Sequence, residues 1–368
     1  MYGKYLQEKD RTDHERGLAH VINTPSIDNS WSSLIQEQAQ NIFYYDPRWL
    51  ELIKKLYGYR IITLTTSNGE GQITGYLPLC LLSSFLTGRR LVSLPFSDQC
   101  PLLATDEATA HKLLDEAIQL ARREHVKYLE LRTGSHDALA KRPELTENNL
   151  YVNWIVPLAD RPEDVWKGLR KPVQHQIKKS QKLGIHIRTA DQREDMAIYY
   201  KLHVQTRIKK HGMPAQLKEY FFQLWDTFAP DGTLQLLLAE YQDNPVAGII
   251  LLAAGNTIHY AYGASDERYL NLAPNNLLFW TAMSLGCAKG FTRFDLGRTA
   301  CDNEGLMEFK RRWGATKEAL SYYYYPHTAG LAATSEKSWK YRLITNIWRK
   351  LPLAISAPLG GFLYKHLG

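Results

Sequence analysis

Residues 268–278 read RYLNLAPNNLL and connect a strand-like run, TIHYAYGAS, to a helix-like run, LLFWTAMSLGCAKG. A strand feeding a helix through a short loop aims backbone N–H groups at one point, which suits a phosphate, and Arg268 would add a cation there. Pro274 has no N–H to give, however, and an ordinary helix entry with Pro274 in the first turn and Asn275 as its cap accounts for the same spacing. Downstream, Asp295 is the one acid in the apolar frame of TRFDLGRT, with Arg298 just beyond it. Burial would raise its pKa and fit it for general-base work, although strand-end carboxylates more often fix a neighbouring loop. Tyr260 and Tyr262 stand two apart on one strand and so are expected to share a face. The segment EGLMEFKRRWGA sets Phe309 and Lys310 in a stretch that is basic on one side and aromatic on the other. No Ser-His-Asp or Cys-His arrangement can be read from the spacing, so direct attack without a covalent intermediate is the simpler chemistry. His175, His203 and His211 lack paired ligand spacing, and the four cysteines lie far apart without a CxxC, so no metal or disulfide framework is expected.

The chain that must position these residues has 368 of them, enough for two domains with cores of their own. Its 44% hydrophobic and 23% charged content is that of a globular protein. No apolar run long enough to span a bilayer and no secretory signal are visible, which makes the cytoplasm the expected location. The net charge of +7 points to an anionic partner without separating nucleic acid, phospholipid and phosphate-bearing cofactor. Its distribution is more telling. After Glu336 no acid occurs, while Lys337, Lys340, Arg342, Arg349, Lys350 and Lys365 alternate with aromatic and aliphatic residues. Residues 328–368 therefore read as a basic amphipathic tail, and residues 337–367 are expected either to lie on the anionic inner leaflet or to pack on the protein. Long basic and aromatic tracts of the nucleic-acid-binding type are otherwise lacking, which excludes DNA as the expected partner.

Two stretches repeat one pattern. RIITLTTSNGEGQITGYLPLCLL gives strand, turn at Asn68-Gly69, strand; TLQLLLAEYQDNPVAGIILLAAG gives the same with its turn at Asp243-Asn244-Pro245, and Gly75 and Gly248 occupy matching places. A further strand follows each (RRLVSLPF; NTIHYAYGA), then a helix (HKLLDEAIQLARREH; NNLLFWTAMSLGCAKG), then a strand with one acid (KYLELRTG; TRFDLGRT), which makes Glu130 the counterpart of Asp295. A basic helix stopped by Gly184, in KPVQHQIKKSQKLGIHIRTA, opens the second half. The reading is an α/β protein with mixed sheets: a polar arm over 1–30, a first domain over 31–150 completed by about 315–327, a second over 151–314, and the tail.

This order of elements resembles the acyltransferase fold of the GNAT superfamily, here twice in tandem. In acyl-CoA-dependent members the corresponding loop reads Arg/Gln-x-x-Gly-x-Gly/Ala. Arg268, Asn271 and Ala273 lie on that template, and Asn is the residue other than glycine that best tolerates positive φ. The second half is more specific. Tyr260-x-Tyr262-Gly263, Pro274-Asn275, Asp295-x-Gly297, Glu304-Gly305-Leu306 and Phe309-Lys310-x-x-Trp313-Gly314 resemble the Fem family of peptidoglycan-bridge aminoacyltransferases and its FemAB-like relatives. In the first half, LVSLPFSDQCPLL resembles the family's Pro-Phe segment near the acceptor groove. The chain lacks the long helical-hairpin insertion found in many members that use charged tRNA, and its tail resembles those of the envelope- and exopolysaccharide-associated branch. The resemblance implies transfer of an aminoacyl or acyl group to an amine of a cell-envelope precursor. No cofactor would be tightly bound, and the donor would be aminoacyl-tRNA or acyl-CoA. Lys310 would neutralise donor charge, Arg207, Tyr260, Tyr262, Arg298 and Phe309 would meet substrate, Arg268, Asn271, Ala273 and Asn275 would face the donor, and Asp295 is the base candidate. An acyl-CoA-dependent transferase acting on a small amine, and a silent scaffold that binds envelope lipid or a partner, are the competing expectations.

Overall fold

The computed structural model describes residues 20–22, 32–84, 88–134, 136–326, 348, 353–364 and 366. These divide into two compact units: one holds the described residues up to Asn149 together with those from Leu320 to Pro326, the other holds Leu150–Ala319 and the described C-terminal residues.

The first unit runs β1 (His20–Ile22), α1 (Ser32–Gln38), α2 (Pro47–Tyr57), β2 (Arg60–Ser67), β3 (Ile73–Ser84), β4 (Gly88–Ser93), β5 (Leu103–Ala104), α3 (Glu107–Arg123), β6 (Leu129–Leu131) and α4 (Asp137–Ala140). The second runs β7 (Thr146–Pro157), α5 (Pro162–Gly168), α6 (Lys171–Lys182), β8 (His186–Thr189), α7 (Glu194–Gln205), α8 (Lys218–Phe228), β9 (Leu234–Tyr241), β10 (Asn244–Ala254), β11 (Thr257–Ser265), α9 (Pro274–Ala288), β12 (Arg293–Ala300) and α10 (Glu304–Arg312). Then β13 (Thr316–Tyr325) and α11 (Leu353–Tyr364) follow. Within the first unit the strand order is β1-β2-β3-β4-β6-β13, and within the second β7-β12-β11-β10-β9-β8. Each contains one parallel pair, β4 with β6 and β11 with β12, joined through the crossover helices α3 and α9. The other pairs described are antiparallel.

The arm read as polar and aperiodic contributes an element after all, because His20–Ile22 pairs antiparallel with Thr63–Thr65 of β2. The rest of the arm lies outside the described residues, as do Lys337, Lys340, Arg342, Arg349, Lys350 and Lys365 of the tail. Within the tail α11 continues past Pro358, at the loss of one helical N–H bond. No helix among the described residues is long and apolar enough to cross a membrane.

The first hairpin turn falls at Asn68-Gly69 as the sequence suggests, closed by the Gly71 amide donating to the Asn68 carbonyl at 3.0 Å, while the second sits one residue earlier than expected. In the first the Asn68 side chain accepts from the amides of Glu70 and Gln72, and the left-handed residue is Gly71 rather than Gly69. In the second Tyr241 pairs directly with Asn244, so Gln242 and Asp243 make the turn, both at positive φ. Gly75 and Gly248 match in sequence but face different helices. A Cβ at Gly75 would lie 2.8 Å from Leu113 of α3, the crossover helix, while one at Gly248 would lie 3.0 Å from Tyr199 of α7, which precedes its hairpin.

The cores follow from the strand pattern. In the first unit Leu77, Leu79 and Leu91 pack on Leu113, Leu114 and Ala117 of α3, whose N-terminus is capped by Asp106 accepting from the Thr109 amide at 2.8 Å. In the second, Ile249 and Leu251 pack on Leu278 and Met283 of α9, with Phe294 and Trp313 alongside. Each such side chain contributes about 1.5–3 kcal/mol through burial. The acids of the repeat have different company. Glu130 bonds Arg132 at 2.8 Å in the interior of the first unit, and Arg132 also donates to the carbonyls of Leu94 (3.4 Å) and Ser97 (2.7 Å), fixing the segment after β4. Removing Glu130 leaves a buried guanidinium without its counter-charge. Glu130→Ala should therefore cost about 3–5 kcal/mol in urea unfolding, whereas Glu124→Ala, which breaks ion pairs to the half-exposed Arg60 and Arg89, should cost no more than about 1 kcal/mol. Equal losses would show that the Glu130 pair is not the lock described.

Candidate active site

The two parallel strands of the second unit stay together only briefly. Thr257 pairs with Arg293, Ile258 with Phe294 and His259 with Asp295, and there the ladder ends although both strands continue. Each is irregular at that level. On β11 the register to β10 slips between Tyr262, opposite Ile250, and Tyr260, opposite Leu251, leaving Ala261 as an extra residue. On β12 the pairing with β7 skips between Asp295 and Arg298, where Gly297 takes a φ of 75°. The result is a backbone opening beyond His259 and Asp295.

Asp295 sits at the point of parting. Its carboxylate accepts from the Gly297 amide at 2.7 Å and from Asn153 Nδ2 at 3.2 Å, and lies 3.1 Å from His259 Nδ1. Burial pushes its pKa up, but the hydrogen bond and charge of His259, with the Gly297 and Asn153 donors, more than offset this, and the pKa falls below the ordinary value. The raised pKa expected from the sequence is thus reversed, because an apolar strand neighbourhood says nothing about donors that converge from three other positions. A carboxylate so held is a weak base and a firm buttress. Lys310, 5% exposed, completes the arrangement from α10: its ammonium donates to the carbonyl oxygens of Gly297 at 2.7 Å and Arg298 at 3.0 Å. The carboxylate therefore holds the N–H of the irregular turn and the ammonium holds its C=O groups. α10 is fixed in turn by Asn303, whose side chain accepts from the Leu306 amide at 3.1 Å. Phe309 is exposed, with its ring 6.1 Å from Phe279 and 6.3 Å from Trp313. The Arg298 guanidinium stacks over Tyr151 at 4.8 Å.

The tyrosines do not share a face. With Ala261 bulged out, Tyr260 and Tyr262 stand opposite successive residues of β10 and point to opposite sides. Tyr260 packs on Phe279 of α9, with ring centroids 4.7 Å apart, and burial pushes its phenol up to about 12. Its hydroxyl fills the place where a side chain of Gly263 would begin, 2.0 Å from an ideal Cβ, which gives the glycine of the Tyr-x-Tyr-Gly motif its reason. Tyr262 instead bonds the Tyr220 hydroxyl at 2.8 Å and packs on Phe221 and His203. Arg207 belongs to that second side. It lies in a π-helical turn, Thr206–Lys210, which Thr206 pins to the end of β11 through Ser265, and its Nε donates to the Pro214 carbonyl at 3.2 Å. Burial, with the Arg207 charge adding to it, pushes His203 down to about 3 and keeps it neutral beside Gln216.

The loop 268–278 is a turn of 3-10 helix, Glu267–Leu272, followed by Ala273 at φ 57° and ψ 40°. Asn271 lies within the 3-10 turn, so alanine rather than asparagine supplies the left-handed residue. Asp266 caps the turn, accepting from the Arg268 amide at 3.0 Å and pairing with its guanidinium at 2.6 Å, and Arg268 also lies over Tyr269. Asn275 does not cap α9; its amide reaches Ser265 Oγ at 3.4 Å. Between this turn and the π-helix is an open cleft of about 370 Å³ lined by Gln205, Lys209, Ser265, Asp266, Glu267 and Arg268. Sequence reading missed Asn153, His259, Tyr220 and Lys209. His259 sits three residues before the Tyr-x-Tyr-Gly glycine's neighbour, but only strand register sets it opposite Asp295.

Antiparallel strands followed by a strand–helix–strand crossover whose parallel pair parts early define the second unit as a GNAT-type acyltransferase fold. Residues 167–311 match the family model described as an acetyltransferase (GNAT) domain. Over the larger part of the chain the fold is that of FemX (TM-score 0.61, 15% identity, 83% of this chain and 96% of that one) and of L-PGS from Bacillus licheniformis (0.56, 12%, 90% and 99%). A tandem GNAT protein from the clavulanic acid biosynthesis pathway is similar as well (0.54, 12%, 84% and 99%). In sequence, the lipid II:glycine glycyltransferase of Staphylococcus saprophyticus is 32% identical over 116 residues, 30% of this chain and 26% of that protein. That of Staphylococcus aureus is 33% identical over 75 residues, 19% and 18%. The matches thus span about a quarter or less of these relatives. Residues 167–311 thus carry a GNAT domain, the chain has the fold of FemX and of a tandem GNAT protein, and part of it is similar in sequence to lipid II:glycine glycyltransferases.

Asp295 has a depressed pKa, so the stability it contributes is present above the ordinary carboxylate range and is lost as pH falls through its lowered folded value. Asp295→Asn should cost about 1.5–3 kcal/mol at pH 7 in urea unfolding, and the gap to the wild type should shrink well below pH 4. A gap that stays constant with pH would remove the charged carboxylate from this role.

Proposed function

We propose that the protein is an N-acyltransferase that moves an aminoacyl group from an activated ester onto an amine of a peptidoglycan-type envelope precursor. The observation that carries this reading is the buried Lys310 ammonium held at the parting of β11 and β12. The sequence likeness to lipid II:glycine glycyltransferases supports the choice of acceptor. The neutral amine attacks the ester carbonyl, the C–N bond forms as the ester C–O bond breaks, and the proton lost by the amine leaves on the departing oxygen as a hydroxyl. Negative charge grows on the carbonyl oxygen and on the leaving oxygen, and a compact ammonium in a water-poor setting stabilises both. Asp295, held ionised by three donors, serves by fixing the Gly297–Arg298 carbonyls that aim Lys310. Arg207, beside Tyr262, suits a phosphate or carboxylate of the acceptor, while Tyr260 and Phe309 border the opposite side with Phe279.

For the donor, aminoacyl-tRNA is favoured over acyl-CoA by the loop 268–278. Pro274 removes one N–H from the helix start, and Arg268 is already paired with Asp266. The GNAT family model keeps acyl-CoA as the second reading. The acceptor side faces the inner leaflet in this proposal, with the basic tail over residues 337–367 bringing the protein to the anionic surface.

The test is transfer of a labelled aminoacyl group to lipid-linked precursor, followed by mass spectrometry, with charged tRNA and acyl-CoA offered in parallel. Lys310→Met should lower kcat about 10²–10³-fold with the KM for acceptor little changed. Arg207→Ala should raise the acceptor KM about tenfold or more at near-constant kcat, with melting temperatures checking both folds. Product from acyl-CoA alone would transfer the reading to the CoA-dependent class. An unaffected kcat in a folded Lys310→Met would remove Lys310 from the chemistry.

A further inference from the structure

The C-terminal helix α11 is two-sided in an unusual way. Its sequence, LAISAPLGGFLY, carries no charge, and at about 1.5 Å per residue it is about 18 Å long, too short for a hydrocarbon core of about 30 Å. One side is built to touch protein. A Cβ at Gly360 would lie 3.0 Å from the Ala215 nitrogen and 3.2 Å from its oxygen, and one at Gly361 would meet Leu217, so the helix backbone rests directly on segment 213–217. Leu363 and the buried Trp348 join Val204, Ile208 and Ala215 in the cluster beneath. The other side is exposed: Leu359 is 40% exposed and Phe362, whose ring also meets His366 at 5.4 Å, is 51% exposed, three residues apart and so on one face.

The segment under the glycines also fixes Arg207. Arg207 Nε donates to the Pro214 carbonyl, the Met213 amide donates to the Arg207 carbonyl, and Gln216 holds His203 and Tyr200. Segment 213–217 is thus gripped by the π-helical turn on one side and by α11 on the other.

We propose that α11 is a lipid-seated clamp: Leu359 and Phe362 enter an anionic lipid surface, and the glycine side presses on segment 213–217, so that docking on the membrane sets the conformation of Arg207. Lipid is favoured over a second copy by charge. In sequence α11 is bracketed by Arg349, Lys350 and Lys365, with no acid after Glu336, so two copies would repel where an anionic bilayer attracts. The clamp rests on the proposed placing of Arg207 at the acceptor, but its physical content, lipid contact coupled to order at 206–217, is measured without any transfer reaction.

The experiment uses the full-length protein with phosphatidylcholine vesicles with and without phosphatidylglycerol, read by co-sedimentation and by amide hydrogen exchange. Wild type should bind the anionic vesicles, and exchange over 206–217 should then slow by about fivefold or more. Leu359→Ser with Phe362→Ser should lose vesicle binding and the slowing together while keeping its melting temperature. Gly360→Leu keeps the outer face but lifts the helix from Ala215, so it should bind vesicles without slowing exchange at 206–217. Unchanged vesicle binding by the double serine variant overturns the lipid contact, and vesicle binding by wild type with unaltered exchange at 206–217 overturns the clamp. Association of the wild type into dimers that the serine variant cannot form, with no vesicle binding, would assign the face to a second copy and overturn the proposal.

Discussion

Two parallel strands that stop bonding after three residue pairs leave backbone polar groups that the fold must satisfy by other means. In the second unit most of the site residues can be understood from that requirement. Gly297 turns through a positive φ because β12 shifts its pairing there, Asp295 takes the amide so exposed, and Lys310 takes the neighbouring carbonyls. On the facing strand the extra residue Ala261 rotates Tyr260 toward α9 and leaves Tyr262 with Tyr220. A side-chain cation is thereby held at an opening in the sheet without any loop of its own. The same two irregularities that weaken the ladder create the place where charge can be stabilised.

How far the sequence discloses this differs by level. Periodicity finds the hairpins, the crossover helices and the strands bearing Glu130 and Asp295, because alternation and helical spacing are local. It finds the Asn68-Gly69 turn but misplaces the second by a residue, since Gln242 adopts positive φ without being glycine or asparagine. A bulge is worse for such reasoning, because one residue out of register reverses every face assignment beyond it. That is why Tyr260 and Tyr262 look like one surface in the sequence and serve two. The sign of the Asp295 shift fails for another reason: its donors, His259, Gly297 and Asn153, come from three different strands, and no spacing rule links them all. Arg207 is a candidate by resemblance alone, as its π-helical turn carries no local signal.

The repeat is one of topology more than of chemistry. Both halves place an acid on the strand after the crossover helix, yet Glu130 answers a buried guanidinium while Asp295 answers a histidine and an amide. Gly75 and Gly248 occupy like positions and relieve contacts with different helices. Duplication supplied two frames, and the side chains around equivalent positions have since taken up different tasks.

The pairing of Tyr323–Tyr325 with Leu129–Leu131 carries a consequence for how the molecule is made. The strand that closes the first unit pairs with β6 only after about 190 intervening residues, so on the ribosome β6 waits as an open edge while most of the second unit emerges. A nascent chain arrested before residue 320 would hold most of the second unit, still without α11, and an unfinished first one. Such a chain is a natural client for chaperones, and emergence of the tyrosine-rich strand would remove the open edge of β6.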